Sequence, residues 1–338
     1  MASFFGSNIQ DNDVNYFPHL PPYSDPTTGI LSILPRPWIP YAQLMRLDRP
    51  AGFYAFYFPY LIGLAYSACV TPEPPEPISL LQLAGILLPF NILLRGAACT
   101  WNDTTDQHFD RRVARTRHRP LARGAVTTTQ ANLFTLTQLL ALSLFHIFDF
   151  LPPPMTRHTV GAVILFGNYS LMKRVTHYPQ VALGIAFAWA IFSTAAALRS
   201  DPYPYDAPTL ALFGANVLWT VTYDTIYAHQ DVADDAKAGV TSMALQFQNS
   251  TKVVASVLSV AQVSLLGLCG IWAGFGVMYF IATVGGVAIV MTYYIYDVDL
   301  KCPESCGMWF HRQFWAVGAA FVAGFVGEYL TRLQLAQT

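Results

Sequence analysis

Leu80-Leu-Gln-Leu-Ala-Gly-Ile-Leu-Leu-Pro-Phe-Asn-Ile-Leu-Leu-Arg95-Gly-Ala-Ala-Cys-Thr-Trp-Asn102-Asp103-Thr-Thr-Asp106-Gln-His-Phe-Asp110 joins a long apolar run to three regularly spaced carboxylates. The run over 80–101 is as long as a hydrocarbon-spanning helix, ~20 residues. Asp103, Asp106 and Asp110 then stand at i, i+3 and i+7, which places them on one helix face. Three like charges at the end of an apolar helix disfavour one another's ionisation unless a cation sits among them.

The rest of the chain repeats the apolar theme. Of 338 residues, 54% are hydrophobic and 12% charged, about half the ~25% charged fraction of a soluble domain. Beyond 80–101, apolar segments fall near 52–70, 127–149, 158–172, 181–199, 207–228, 252–271, 273–295 and 312–332. Lipid leaves no partner for a free backbone polar group, so these segments are expected as helices; barrel strands would be shorter and alternate apolar with polar residues. The fold expected is an all-α multi-pass membrane bundle of about nine transmembrane helices. With nine spans, fifteen of the 19 basic residues lie on the N-terminal side of the bilayer, three (Arg157, Arg199, Arg332) on the other, and Arg95 within a helix. The positive-inside rule makes the rich side cytosolic. A net charge of −1 gives no sign of a nucleic-acid partner.

Residues 1–40 form a separate N-terminal arm ahead of a transmembrane domain over 41–332. The first 35 residues have no Lys or Arg, contain Asp11, Asp13 and Asp25, and are rich in Pro and Tyr. This resembles neither a mitochondrial presequence nor a secretory signal, and a disordered or surface-lying cytosolic arm is expected. Cys69, Cys99 and Cys269 lie in apolar surroundings, while Cys302 and Cys306 share a short loop with His311. Without C-x-x-C spacing or a fourth ligand, these read as ordinary thiols more readily than as a metal site.

A second acidic cluster follows the sixth apolar segment: Tyr223-Asp224-Thr-Ile-Tyr-Ala-His-Gln-Asp231-Val-Ala-Asp234-Asp235-Ala-Lys237. Asp231 and Asp235 are one turn apart, and Asp224 and Asp234 fall near the same face, so periodicity does not choose among them. Both clusters lie on the predicted cytosolic side. Oxygen-only ligands too few for a closed cage point to Mg²⁺, which keeps waters and shares carboxylates with substrate phosphates. Two facing clusters would hold a diphosphate between metal ions and take up its charge as it leaves.

Asn102-Asp103-x-x-Asp106-x-x-x-Asp110 and Asp231-x-x-x-Asp235 resemble the two signatures of the UbiA superfamily of membrane prenyltransferases. Tyr169-Ser-Leu-Met-Lys173-Arg174-Val-Thr176-His-Tyr-Pro179-Gln180 is similar to the block between those motifs in 4-hydroxybenzoate polyprenyltransferases. Arg46-Leu-Asp48-Arg49-Pro50 resembles the start of their first helix, and Arg119-Pro120-Leu121 also fits. The resemblance spans residues 41 to 332 and implies nine helices around a central cavity capped by the Asp motifs. It implies that Asp103, Asp106, Asp110, Asp231 and Asp235 hold Mg²⁺, with Asn102 supporting them. Lys173 and Tyr169 would meet the diphosphate or its departing oxygen, as would Arg46. Arg95, on the face of Asn102 but two turns deeper, needs a partner. That partner is either a backbone carbonyl or buried acid, or the carboxylate of an aromatic acceptor met by its planar fork; the resemblance to members that use benzoic acids implies the second, with Arg95 binding the acceptor.

The activity so implied is Mg²⁺-dependent transfer of a prenyl group from an allylic diphosphate to an aromatic ring, the ring proton leaving afterwards to a base that the sequence does not name, the departing diphosphate being one candidate. An acidic, Pro-rich N-terminus before such a core resembles the fungal meroterpenoid members, which implies farnesyl diphosphate, a 3,5-dimethylorsellinic-type acid and residence in the endoplasmic reticulum or another internal membrane. The alternatives are a 4-hydroxybenzoate polyprenyltransferase of ubiquinone biosynthesis and, outside the class, a transporter or non-catalytic scaffold. A transporter would place charge near mid-membrane in broken helices. A diphosphate-cleaving cyclase or phosphatase would keep the Asp motifs and have no need of Arg95.

Overall fold

Proline sets where many of the long helices begin. Pro50, Pro77, Pro179 and Pro303 stand at the first residue of helices α2 (Pro50–Val70), α3 (Pro77–Asp110), α6 (Pro179–Arg199) and α13 (Pro303–Gln337), where the missing N–H has no intrahelical partner to lose. Side chains cap others. Thr127 and Gln130 form a capping box at the start of α4 (Thr128–Ile147), and the Asp206 carboxylate accepts from the Thr209 amide at the start of α7 (Ala207–Ala228). Helix α5 (Met155–Met172) lies between α4 and α6, and two short helices, α8 (Val232–Ala238) and α9 (Met243–Phe247), follow α7. The remainder is α10 (Thr251–Ala273), α11 (Val277–Tyr279), α12 (Gly286–Asp297) and α13, with a π-helical turn over Phe280–Gly285 joining α11 to α12.

The computed structural model describes residues 23–337. Asp11, Asp13 and the first 22 residues of the arm expected over 1–40 lie outside that range. Over 23–40 the chain forms two 3-10 turns, Ile30–Ile33 and Arg36–Trp38, ahead of a short helix α1 (Ile39–Leu44). Leu31, Ile39 and Ala42 bury together.

Among the described residues, six helices are long and apolar enough to cross a membrane: Pro50–Val70, Pro77–Asp110, Pro179–Arg199, Met243–Ala273, Val277–Asp297 and Pro303–Leu335. The expected segments 127–149, 158–172 and 207–228 are also helical, but they carry more polar side chains. Gln130, Asn132, Thr135 and Gln138 lie in α4, Arg157 and His158 in α5, and Asn216, Thr220 and Asp224 in α7. Exposed Leu133, Leu140, Ile164, Val257, Val260 and Ile289 spread over the outer helix faces, as suits a bundle solvated by lipid.

Small residues let the inner helices approach closely. A Cβ on Gly63 of α2 would lie 2.9 Å from the Ile191 Cα of α6, so only glycine fits this crossing. The buried Trp219 Nε1 donates to Gln313 Oε1 at 2.7 Å, tying α7 to α13. Helices α2, α3, α5, α6, α7 and α13 all contribute side chains to one cavity at the end that bears both acidic clusters.

Candidate active site

The cavity measures about 710 Å³ and has a charged rim over an aromatic floor. Helix α3 continues unbroken through its acidic end to Asp110, so Asp106 and Asp110 face inward as their spacing requires. Across from them Asp231 caps α8, and the Asp235 amide donates to Asp231 O at 2.8 Å. The loop carrying this second cluster is pinned to the end of α5: Thr241 Oγ1 lies 2.7 Å from the carbonyl oxygens of both Lys173 and Thr176, which share its one proton. Phe56 and Phe187 line the floor with rings 4.8 Å apart, edge to face.

Each acidic side chain that the sequence singled out in the first cluster meets a cation. Asp103 Oδ1 accepts from Arg46 Nη2 at 2.5 Å and from Arg119 Nη1 at 2.8 Å. Arg119 Nη1 also lies 2.8 Å from Asp110 Oδ2, and Lys173 Nζ is 2.7 Å from Asp106 Oδ2. In the second cluster, Arg115 grips Asp231 through Nε at 2.9 Å and Nη2 at 2.5 Å, both to Oδ2. Burial works against the Lys173 ammonium, yet the Asp106 carboxylate holds its pKa above the ordinary lysine value. Lys173 Nζ stands 5.9 Å from the Tyr169 ring centroid, and both residues line the cavity.

The carboxylates keep unused capacity for a hard dication. Asp103 Oδ2, Asp106 Oδ1 and Asn102 Oδ1 are buried oxygens with no hydrogen-bond partner among the described residues, lone pairs that a cation would satisfy. No three carboxylate, imidazole or thiol groups among the described residues converge tightly enough to enclose an ion. The described residues suit a hard divalent ion that keeps water and shares phosphate oxygens, and do not form a closed protein cage.

Asp235 carries a pH dependence. Burial, reinforced by the neighbouring Asp231 charge and opposed by Lys173 and Arg115, pushes its carboxyl up to about 6. Below that pH it binds a proton and loses the charge that attracts a cation; above it the charge is present. Divalent-cation binding, followed by calorimetry on purified protein, is therefore expected to weaken several-fold between pH 7.5 and 5.5, and Asp235→Asn to flatten the profile.

The cavity gathers Arg46, Arg95, Asn102, Asp106, Asp110, Tyr169, Lys173, Asp231 and Asp235. Asp103 is fully buried behind Arg46 and Arg119 and is not among the lining residues. The two acids that periodicity left undecided in the second cluster are placed differently. Asp224 lines the cavity, whereas Asp234 Oδ2 turns to the Ala114 amide at 3.0 Å. Arg95 lines the cavity, with its terminal nitrogens donating to the carbonyls of Arg46 and Arg49.

Cys306 and His311 do not share a loop with Cys302: α13 starts at Pro303 and takes in both. Cys302 Sγ lies 3.3 Å from Glu304 Oε2. The sequence reading gave no role to Arg115 and none beyond motif fit to Arg119. The loop over 111–127 that carries them is anchored by buried Leu121 and Val126 against Leu44 and Ala131. Its dense basic composition was the available signal.

The sequence profile of the UbiA prenyltransferase family matches residues 56–318. The Acremonium egyptiacum prenyltransferase ascA is 41% identical over 268 residues, 79% of this chain and 79% of its own. The human mitochondrial 4-hydroxybenzoate polyprenyltransferase is 38% identical, covering 82% of this chain and 72% of its own. The DMOA farnesyltransferase nvfB of Aspergillus novofumigatus is 35% identical, covering 76% and 80%. Among solved structures, a UbiA homologue of Archaeoglobus fulgidus bound to GPP and Mg²⁺ superposes with a TM-score of 0.63 at 20% identity, over 86% of this chain and 99% of that one. At that identity the likeness speaks for the fold.

Proposed function

Because the chain belongs to the UbiA prenyltransferase family, we propose that its cavity transfers a farnesyl group from farnesyl diphosphate to a phenolic polyketide acid of the 3,5-dimethylorsellinic type. The observation that carries this reading is the ring of acid and cation pairs, Asp103 with Arg46 and Arg119, Asp106 with Lys173, and Asp231 with Arg115, over an aromatic floor. Free carboxylates alone would repel a diphosphate. Carboxylates that share their charge with a divalent ion release arginines and a lysine to meet it.

Asp103, Asp106, Asp110, Asp231 and Asp235 would hold Mg²⁺, supported by Asn102. When bound, that ion supplies the positive charge that makes diphosphate a better leaving group. Lys173 and Arg46 neutralise charge growing on the bridging oxygen as the allylic C–O bond breaks with its electron pair leaving on diphosphate. Tyr169 and the rings of Phe56 and Phe187 exclude water around the allylic cation while the acceptor ring attacks it. The ring proton then departs to diphosphate and aromaticity returns. Arg95 lines the same cavity with both terminal nitrogens donating to the carbonyls of Arg46 and Arg49, which favours the backbone partner over the acceptor carboxylate for this side chain.

On this reading nine helices span an internal membrane such as the endoplasmic reticulum, with both Asp motifs toward the cytosol, the side that collects fifteen of the 19 basic residues. The Aspergillus novofumigatus relative favours the farnesyl and polyketide-acid reading. The human relative favours a second one, polyprenylation of 4-hydroxybenzoate. Membranes containing the protein, given Mg²⁺ and farnesyl diphosphate with each acid separately, distinguish them by product mass. Farnesylated 3,5-dimethylorsellinic acid is the expected product. Conversion of 4-hydroxybenzoate alone, best with longer donors, would replace this reading with the second.

A further inference from the structure

The turn that brings Arg46 to the acidic cluster sits on the Arg95 guanidinium. Arg46 lies between α1 and α2 with φ of 59°, in the left-handed region that a residue with a side chain enters only when its surroundings hold it there. From this position its Nη2 reaches Asp103 Oδ1 at 2.5 Å, while its Nη1 donates to Gln43 O at 2.8 Å. The carbonyls of the same turn point at Arg95. Arg95 Nη1 donates to Arg46 O at 3.0 Å and Nη2 to Arg49 O at 2.7 Å, and the residue is 5% exposed. One planar fork therefore bridges both ends of the turn, which the single point charge of a lysine does not reproduce. The neighbouring helix makes room for it. A Cβ on Gly52 would come within 2.7 Å of Arg95 Nη2, so glycine at this position keeps the fork in place.

We propose that Arg95 is a positioning residue: with Gly52 making room, its fork fixes the Arg46–Arg49 turn in the strained conformation that presents Arg46 to Asp103 at the diphosphate end of the cavity. The functional half of this inference rests on the donor-binding reading above; the structural half stands without it. Removing the fork or crowding it should loosen the turn and, through Arg46, weaken donor binding before it affects the acceptor.

Two measurements on the purified full-length protein test both halves. In ligand-free protein, hydrogen exchange over residues 45–49 is expected to quicken about tenfold in Arg95→Gln. The same segment should respond in Gly52→Ala, which leaves the Arg95 side chain intact. Unchanged exchange there in both variants overturns the brace. In steady-state kinetics, Arg95→Gln should raise the donor KM, and the Arg46→Gln/Arg95→Gln double variant should be no worse than Arg46→Gln alone, since both remove one linked contact. Additive losses, or an Arg95→Gln effect confined to the acceptor KM, overturn the action through Arg46. If the wild-type protein transfers no prenyl group, the proposed function fails, and the exchange measurement still decides the brace.

Discussion

Asp231→Ala is expected to lower kcat by about a thousandfold or more if, as proposed, it holds the metal ion: that is the scale of losing a charge-stabilising partner together with a metal ligand. Asp231 accepts from Arg115 through both oxygens, with Nε contacts of 3.0 and 2.9 Å, so its removal deletes a carboxylate from the cavity and frees a cation to collapse onto Asp235 or Asp224. The pair is partly solvated, with side-chain exposures of 12% for Asp231 and 30% for Arg115. Its loss should therefore cost stability only about 1 kcal/mol. Kinetics and thermal unfolding of one preparation separate the two quantities. Activity within tenfold of wild type would remove Asp231 from the metal and diphosphate site.

Lys173→Met should act on both quantities. Turnover is expected to fall by about two to three orders of magnitude, because the proposed mechanism loses the charge that faces the departing oxygen. The Asp106 side chain, 2% exposed, would also lose its 2.7 Å partner, and an uncompensated buried carboxylate costs about 3 kcal/mol. Asp106→Asn/Lys173→Met removes both charges together, so the double variant should regain most of the lost stability and none of the lost turnover. If the double variant recovers activity as well, Lys173 serves the fold and has no part in ionising the donor.

These two residues show what the sequence made legible. Asp106, Asp110, Asp231 and Asp235 were identifiable because helical spacing and position after an apolar segment are local properties, and each lines the cavity. The partners were harder to read. Arg115 and Arg119 sit in an irregular loop whose path is set by burial of Leu121 and Val126 against α1 and α4, a long-range matter that periodicity does not encode. The depth of Asp103, covered by two arginines from different segments, was hidden for the same reason. Spacing placed Arg95 on the face of Asn102, but its contacts depend on the left-handed backbone at Arg46, which nothing in the local pattern Arg46-Leu-Asp48-Arg49-Pro50 requires. Helix existence followed the apolar runs throughout. Proline pushed the start of the last helix back to Pro303, so that residues read as a cysteine loop became helix.

The most direct test of the account is a product analysis of purified protein given farnesyl diphosphate and 3,5-dimethylorsellinic acid, with Mg²⁺ supplied or chelated. The predicted result is an adduct in which the acid has gained a farnesyl group in place of one ring hydrogen, formed with Mg²⁺ and lost on chelation. Release of diphosphate with no aromatic adduct from any phenolic acid, or an adduct formed equally well without a divalent ion, would contradict the central claim that the paired acidic clusters ionise an allylic donor for attack by an aromatic ring.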